Sequence, residues 1–327
     1  MKKILLLCLF CFSIIKNNSN IVNDNPVLTY NYLTNNVINY DGFNDDYIYV
    51  NEFEVSNNTV KMVNTTYNNK REYNFIVYKN SNNYNIASRD DIKNAIYNGL
   101  NDGNNNITMY CIYDNYNECI SDFRSIYRNK RLLYSINNYV SPYNRYLSLN
   151  YKININNGKA KIEITVTKKY SDNQIEEINK KIDKYISKLK INKMSDEEKI
   201  KWAHDFIIDR NKYDKEAIKK GSGDAYSAYG ALVGNKAICQ GYAEAIAIVL
   251  DRFDIPNILI SNDLHIWNLV YVNNKWYHLD ATWDDPILYN GKQTKIYDYY
   301  LITSKRLSGI DSSSNHKFDS KYYKETK

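Results

Sequence analysis

The sequence predicts an α+β protein in two parts, and three observations carry that prediction. RYLSLNYKININNGKAKIEITVTKKY alternates apolar and polar residues on both sides of Asn156-Asn157-Gly158, the pattern of a β-hairpin. SDNQIEEINKKIDKYISKL places Ile175, Ile178, Ile182 and Ile186 at the spacing of one helix face. After KAICQGYAEA, which opens a helix, three strand-like runs follow Pro256: NILIS, HIWNLVYV and KWYHLDAT. With 327 residues, 43% of them hydrophobic, the chain can bury one large core or two ordinary ones.

Taken in order, the first stretch is MKKILLLCLFCFSIIKNNSN. Two lysines precede an apolar run from Ile4 to Ile15. As a helix that run spans about 18 Å, short of a ~30 Å hydrocarbon core. Residues 1–20 therefore read as a signal peptide, although no A-x-A cleavage pattern is present. Cys8 and Cys11 lack the small residue expected before a lipidated cysteine, so plain export is expected. No later segment is apolar enough to span a membrane.

Residues 21–170 read as a small α+β domain of unknown role. DDYIYVNEFEV and YNFIVYK are strand candidates. Ser88 caps a helix carrying Ile92, Ile96 and Leu100. ITMYCIY is a strand, NECISDFRSIYRNK a helix, and the hairpin around Asn157 follows. Residues 171–327 form the second domain. The helix from Ser171 leads into a second one in MSDEEKIKWAHDFIIDR, opened by a Ser195–Glu198 capping box. NKYDKEAIKKGSGDAYSAYGALVGN reads as a loop region with short apolar turns. The helix holding Cys239 runs to about Phe253.

The formal charge is +6, with basic residues interleaved with acids. The densest run, KKYSDNQIEEINKKIDKYISKLKINK, carries both signs at helical spacing and reads as a solvated helix face. No RNA- or DNA-binding motif accompanies it, so no nucleic-acid partner is expected. Of 5 cysteines, Cys8 and Cys11 leave with the signal. The spacing of Cys111 and Cys119 permits a disulfide without requiring one. Cys239 is then the odd thiol, either a small core residue or a nucleophile.

The hairpin after Cys239 favours the nucleophile. If Asn273-Asn274 is a two-residue turn, Val272 faces Lys275, Trp267 faces Asp280, and His265 faces Thr282. His265 and Asp280 are then diagonal neighbours on one sheet face. A bulge would flip one strand and separate them. A thiol at a helix start gains from the free N–H groups there, and a carboxylate that orients an imidazole completes a Cys-His-Asp triad. Gly241 allows close backbone approach, and the Cys239 N–H is a donor for an oxyanion. Metal binding by Cys239, His265 and His278 is the rival chemistry; no C-x-x-C or H-E-x-x-H pattern completes a zinc set, so no metal or other cofactor is expected. The aromatics Trp267, Trp276, Trp283 and Tyr242 read mostly as core.

AYGALVGNKAICQGYAEAIAIVLDRFDIPNILIS followed by HIWNLVYVNNKWYHLDATWDDP resembles the bacterial transglutaminase-like proteins of the papain-like cysteine superfamily. HDFIIDRNKYD resembles the helix that opens that core, and YDYYLITSKRL the segment that closes it. The resemblance implies a papain-like fold, with a nucleophile helix packed on an antiparallel sheet. It also implies catalytic roles for Cys239 (nucleophile), His265 (base) and Asp280 (orienting acid). One departure is SNDLHIWN, where the family often carries SGxxxHAWN; Asn262 and Ile266 stand in its place. The implied activity is exported, cysteine-dependent acyl transfer on protein or peptide amides, including those of the cell envelope, by a secreted or cell-surface enzyme. A cysteine protease or cell-wall peptide amidase is the alternative within the same fold. A non-catalytic adhesion or assembly module is the alternative outside enzymology.

Overall fold

Asn157 and Gly158, with φ of 48° and 73°, form the left-handed two-residue turn that the twist of a hairpin favours. They join the two longest strands of a computed structural model describing residues 47–48, 75, 82–287, 294–311, 313–323 and 326. The expected signal peptide and most of the two early strand candidates lie outside the described residues. The chain divides into two compact units, Leu33–Ser171 and one built on Asp172–Lys327.

The first unit is a five-stranded sheet with helices. Its strands are β1 (Tyr47–Ile48), β2 (Asn83–Ile86), β3 (Asn106–Cys111), β4 (Tyr146–Asn156) and β5 (Lys159–Lys168), in the order β1-β4-β5-β3-β2. The β1–β4 and β2–β3 pairs are parallel and the others antiparallel. Helix α1 (Arg89–Asn101) starts where Ser88 accepts a hydrogen bond from the Asp91 N–H, and it buries Ile92, Ile96 and Leu100. The helix read in NECISDFRSIYRNK is α2 (Tyr116–Arg128). Asn129 ends it and caps α3 (Lys130–Tyr139), a helix the sequence reading does not name, by accepting from the Leu132 N–H at 3.0 Å. A side-chain cap directly after α2 starts the new helix. Cys111, at the end of β3, is disulfide-bonded to Cys119 in α2.

The second unit opens with α4 (Asp172–Ile186) and α5 (Asp196–Arg210), and both halves of the Ser195–Glu198 capping box are present. The expected loop region holds several short elements: β6 (Lys212–Tyr213), α6 (Lys215–Lys220), a π-helical turn at Gly230–Gly234 and β7 (Lys236–Ala237), with β6 parallel to β7. Next come α7 (Cys239–Arg252), β8 (Asn257–Ser261), β9 (Ile266–Val272), β10 (Lys275–Leu279) and the short α8 (Ser304–Ile310). Every residue of α7 from Cys239 to Leu250 is buried, including Gln240 and Glu244, where the Gln240 amide donates to the Glu244 carboxylate at 3.0 Å. It packs on α5, β8 and β9, and Asn268 of β9 donates to the Ala243 carbonyl at 2.9 Å.

The sheet β10-β9-β8 is an antiparallel meander. Asn273 and Asn274 have φ of 51° and 61°, and Val272 pairs with Lys275 through to Asn268 with Leu279. The register has no bulge. It does not extend to Thr282: the strand ends at Leu279, and Asp280 begins a turn in which Thr282 N–H donates back to Asp280 Oδ1 at 2.8 Å. Thr282 is therefore not opposite His265.

Candidate active site

Cys239 is the first residue of α7, and Ile238 before it offers no capping side chain. Gly241 is required two residues on. A Cβ there would lie 2.7 Å from the Ala225 carbonyl oxygen, 2.8 Å from the Ala237 Cβ and 2.9 Å from the Ser227 carbonyl oxygen. That packing seats the helix start, and Cys239 with it, against the 225–237 segment. Cys239 is the one free cysteine among the described residues, 5% exposed.

His265 lies just before β9 and is 4% exposed. Asn262 fixes its backbone: its Oδ1 accepts from the Leu264 and His265 N–H groups at 2.7 and 2.9 Å, and its own N–H donates to the His265 carbonyl. The imidazole lies parallel to the Trp267 indole, centroids 5.6 Å apart. Its Nε2 donates to Asp280 Oδ2 at 2.5 Å. That leaves Nδ1, buried and without another hydrogen bond of ordinary geometry, for Cys239, whose side chain interacts with the ring. Burial pushes the imidazole down. The Asp280 charge and hydrogen bond, with Cys239, outweigh it and raise the pKa to about 9.

Asp280 is fully committed. Oδ1 accepts from the Thr282 and Trp283 N–H groups at 2.8 and 3.1 Å, and Oδ2 accepts from His265 and, at 2.9 Å, from His316 Nε2. Burial alone would push its carboxyl up; the two imidazoles hold it well below the usual carboxylate range. The turn after it is pinned by Asp284. That carboxylate accepts from the Tyr299 N–H at 2.9 Å and meets His204 Nε2 of α5 at 3.1 Å. Burial raises the Asp284 pKa to about 6 against these hydrogen bonds.

The structure thus brings together His265 and Asp280 at the start of the Cys239 helix. His278 does something else. Its Nδ1 accepts from Trp267 Nε1 at 3.0 Å and its Nε2 donates to Ser304 Oγ at 2.9 Å. Burial and the neighbouring His316 push it down to about 3, so it is a neutral strut for the indole behind His265. With both nitrogens engaged, it does not join Cys239 and His265 in the ligand set considered from sequence. Trp267, Trp283 and Tyr242 are buried, while Trp276 is partly exposed.

Sequence reasoning missed His316 and Asp311, which sit with Asp280. The signal available was arithmetic: the chain has 4 histidines, and only His265 and His278 had been given a reading of their own. It also missed the second task of Asn262, whose amide donates to the carbonyls of Ser314, Asn315 and Lys317 at 3.0, 2.7 and 2.7 Å. One side chain therefore holds both His265 and the loop that delivers His316. The ligand atoms of His265, Asp280 and His316 lie within 4.8 Å of one another, close enough to suggest a cation site. Two ligands at ~2.0–2.1 Å in a tetrahedral shell are about 3.3 Å apart. Here the nitrogen–oxygen separations are 2.5 and 2.9 Å, the spacing of shared protons.

Residues 183–281 match the family model described as the transglutaminase-like superfamily, a span that contains Cys239, His265 and Asp280. No curated protein matches the chain. Among solved structures, one described as a "TGase" is similar at 14% identity and a TM-score of 0.31, covering 71% of this chain and 64% of its own. A "Putative Cysteine Protease from Cytophaga hutchinsonii" is similar at 16% identity and a TM-score of 0.27, covering 46% of this chain and 65% of its own. The chain spans just under two thirds of each.

Proposed function

From a chain whose residues 183–281 form a transglutaminase-like superfamily domain, we propose that this protein is a cysteine-dependent acyltransferase acting on protein or peptide amides. The observation that carries the reading is the 2.5 Å contact of His265 Nε2 with a buried, ionised Asp280, beside a helix that begins with a free Cys239. Cys239 gives its thiol proton to His265 Nδ1, and the sulfur attacks the amide carbonyl carbon. The N–H groups at the uncapped start of α7 receive the charge that develops on the carbonyl oxygen. The C–N bond then breaks as His265 Nδ1–H protonates the leaving amine, giving a thioester. In the second half an incoming amine or water attacks the thioester, His265 Nδ1 takes its proton, and Cys239 leaves as thiolate.

The burial of Cys239 and His265 limits water at the thioester and so favours an amine as acceptor. Export of the enzyme is part of the proposal. The Cys111–Cys119 disulfide supports it, because such bonds persist in oxidising compartments. So does the short apolar run near residue 4. Among the described residues no helix is long and apolar enough to cross a membrane.

Incubation with a glutamine-containing peptide and a labelled primary amine, beside an arm with water alone, tests the reading. Labelled amine should join the peptide with release of ammonia. Ammonia release without amine incorporation would make the enzyme a hydrolase. Cys239→Ala should abolish either product while costing at most ~1–2 kcal/mol of stability. Turnover by that variant would overturn the mechanism.

A further inference from the structure

We propose that His316, anchored by Asp311, is a positioning residue for this reaction: it shares Asp280 with His265 and keeps the proton on His265 transferable. The inference rests on the acyl-transfer reading and deepens it.

The geometry assigns protons. Asp280 Oδ2 accepts from two imidazoles, His265 Nε2 at 2.5 Å and His316 Nε2 at 2.9 Å, so His316 Nε2 carries a hydrogen. The other nitrogen, Nδ1, lies 2.7 Å from Asp311 Oδ2. Asp311 already accepts from the Ser313 N–H and hydroxyl and from the His316 N–H, at 2.8, 2.5 and 3.2 Å. A carboxylate surrounded by donors is the acceptor, so Nδ1 carries a hydrogen too. His316 is therefore an imidazolium held between two carboxylates. Burial opposes that charge, yet the two acids raise the pKa of His316, and Asp311 is held down at about 2.

The surroundings keep the charge from being screened. His316 is 5% exposed, with Tyr299 stacked on it at 5.1 Å and the Trp283 and Trp267 rings at 4.7 and 5.0 Å. Among the described residues, the titratable groups that face it are Asp280, Asp311, His265 and His278, with Tyr299 against its ring. The His265 and His316 ring centroids are 5.1 Å apart, and the rings are nearly perpendicular at 85°.

A buried carboxylate with His265 as its only cation would grip the imidazolium and oppose release of its proton to the leaving amine. His316 changes the balance in two ways. Its charge repels the charge on His265 through the shared oxygen. When His265 gives up its proton, Asp280 keeps a cationic partner instead of becoming a bare buried anion. A polar pair that only fastened the loop 313–318 would require neither effect.

The full chain, with its 4 histidines labelled at 13Cε1, is titrated by NMR and each resonance is assigned by single substitution. His316 should hold its imidazolium shift above the pH at which a free imidazole loses its proton. In His316→Gln the midpoint of His265 should move up from about 9 by roughly one to two pH units, the scale set by a unit charge ~5 Å away at a partly screened site. The upper limb of the iodoacetamide profile of Cys239 should move the same way. A neutral His316 at pH 7 in the wild type, or an unmoved His265 midpoint in the variant, overturns the proposal. If His316→Gln does not fold, the pair Asp311→Asn with His316→Gln keeps a neutral amide-to-amide hydrogen bond and is judged by the same criterion. The NMR readout needs no substrate. A wild type that titrates as expected but performs no acyl transfer would count against the proposed function alone.

Discussion

Asp280 receives four hydrogen bonds on two oxygens, and an amide in its place could accept at one of them only. In Asp280→Asn, either the turn N–H groups of Thr282 and Trp283 or the two imidazoles would meet an NH2 group. Turnover should fall by roughly 10- to 1000-fold, less than in His265→Ala, because a cysteine nucleophile depends on its acid less than a serine does. The variant should also change the acid side of the stability curve. The folded-state pKa of Asp280 is depressed, so its stabilisation is present above its unfolded value and is lost as pH falls below about 4. Urea titrations from pH 3 to 5 should show a shallower slope in the variant; unchanged slope and turnover would make Asp280 a bystander. His265 acts with the opposite sign. Its raised pKa stabilises fully below about 6.5 and is lost as pH rises through about 9, so the urea midpoint should decline across that window and His265→Gln should flatten the decline. Asp284, raised to about 6, titrates below the His265 window; it overlaps the Asp280 window, where wild type and variant both carry it and the difference in slope cancels it.

Helix α7 works as an element because its start is wedged rather than capped. Ile238 supplies no side-chain acceptor, and the helix is located by the contact of Gly241 with the 225–237 segment. Gly241→Ala should gain about 1 kcal/mol in helix propensity. It would force a Cβ to within 2.7–2.9 Å of two backbone carbonyl oxygens, which cannot rotate away. Overpacking of this kind costs about 1–3 kcal/mol, so the expected net effect is a loss of stability with slower alkylation of Cys239. Stability equal to or above wild type by urea unfolding would show that the segment yields and that the seat is not rigid. The same element explains what could be read from sequence and what could not. Local chemistry was legible: the Ser88 cap, the capping box at Ser195, the Asn273-Asn274 turn and, through its register, the approach of His265 to Asp280. Helix α3 was not, because it is started directly after α2 by one side-chain hydrogen bond at Asn129. Nor was the arrival of His316. It depends on Asn262 and Asp311 folding a loop onto a strand end some fifty residues earlier in the chain, and no period or turn signal encodes a contact of that range.

Across the whole molecule the sulfur chemistry is divided by unit. The Leu33–Ser171 unit contains the disulfide Cys111–Cys119, while the Asp172–Lys327 unit contains the free Cys239 that the proposed reaction uses. The disulfide joins the end of β3 to α2 across a sequence separation of 8 residues. Closing so short a loop removes denatured-state entropy worth about 2.5 kcal/mol. Reduction should therefore destabilise the unit that contains the bridge. Cys239 has the opposite need, since any oxidation of its sulfur removes the nucleophile. A mild reductant should consequently lower the unfolding temperature of the Leu33–Ser171 unit while leaving the iodoacetamide rate of Cys239 unchanged or higher. Differential scanning calorimetry with and without dithiothreitol reads the first effect. Alkylation, after removal of the reductant under anaerobic conditions and followed by peptide mapping, reads the second. The replacement of both Cys111 and Cys119 by Ser supplies the control, because it removes the bridge without altering the redox state of Cys239. Retained labelling of Cys239 in that variant, beside a lowered unfolding temperature, is the expected pair of results. A collapse of Cys239 reactivity on loss of the bridge would show instead that the proposed catalytic centre depends on the disulfide-bonded unit, and the division of labour between the units would have to be abandoned.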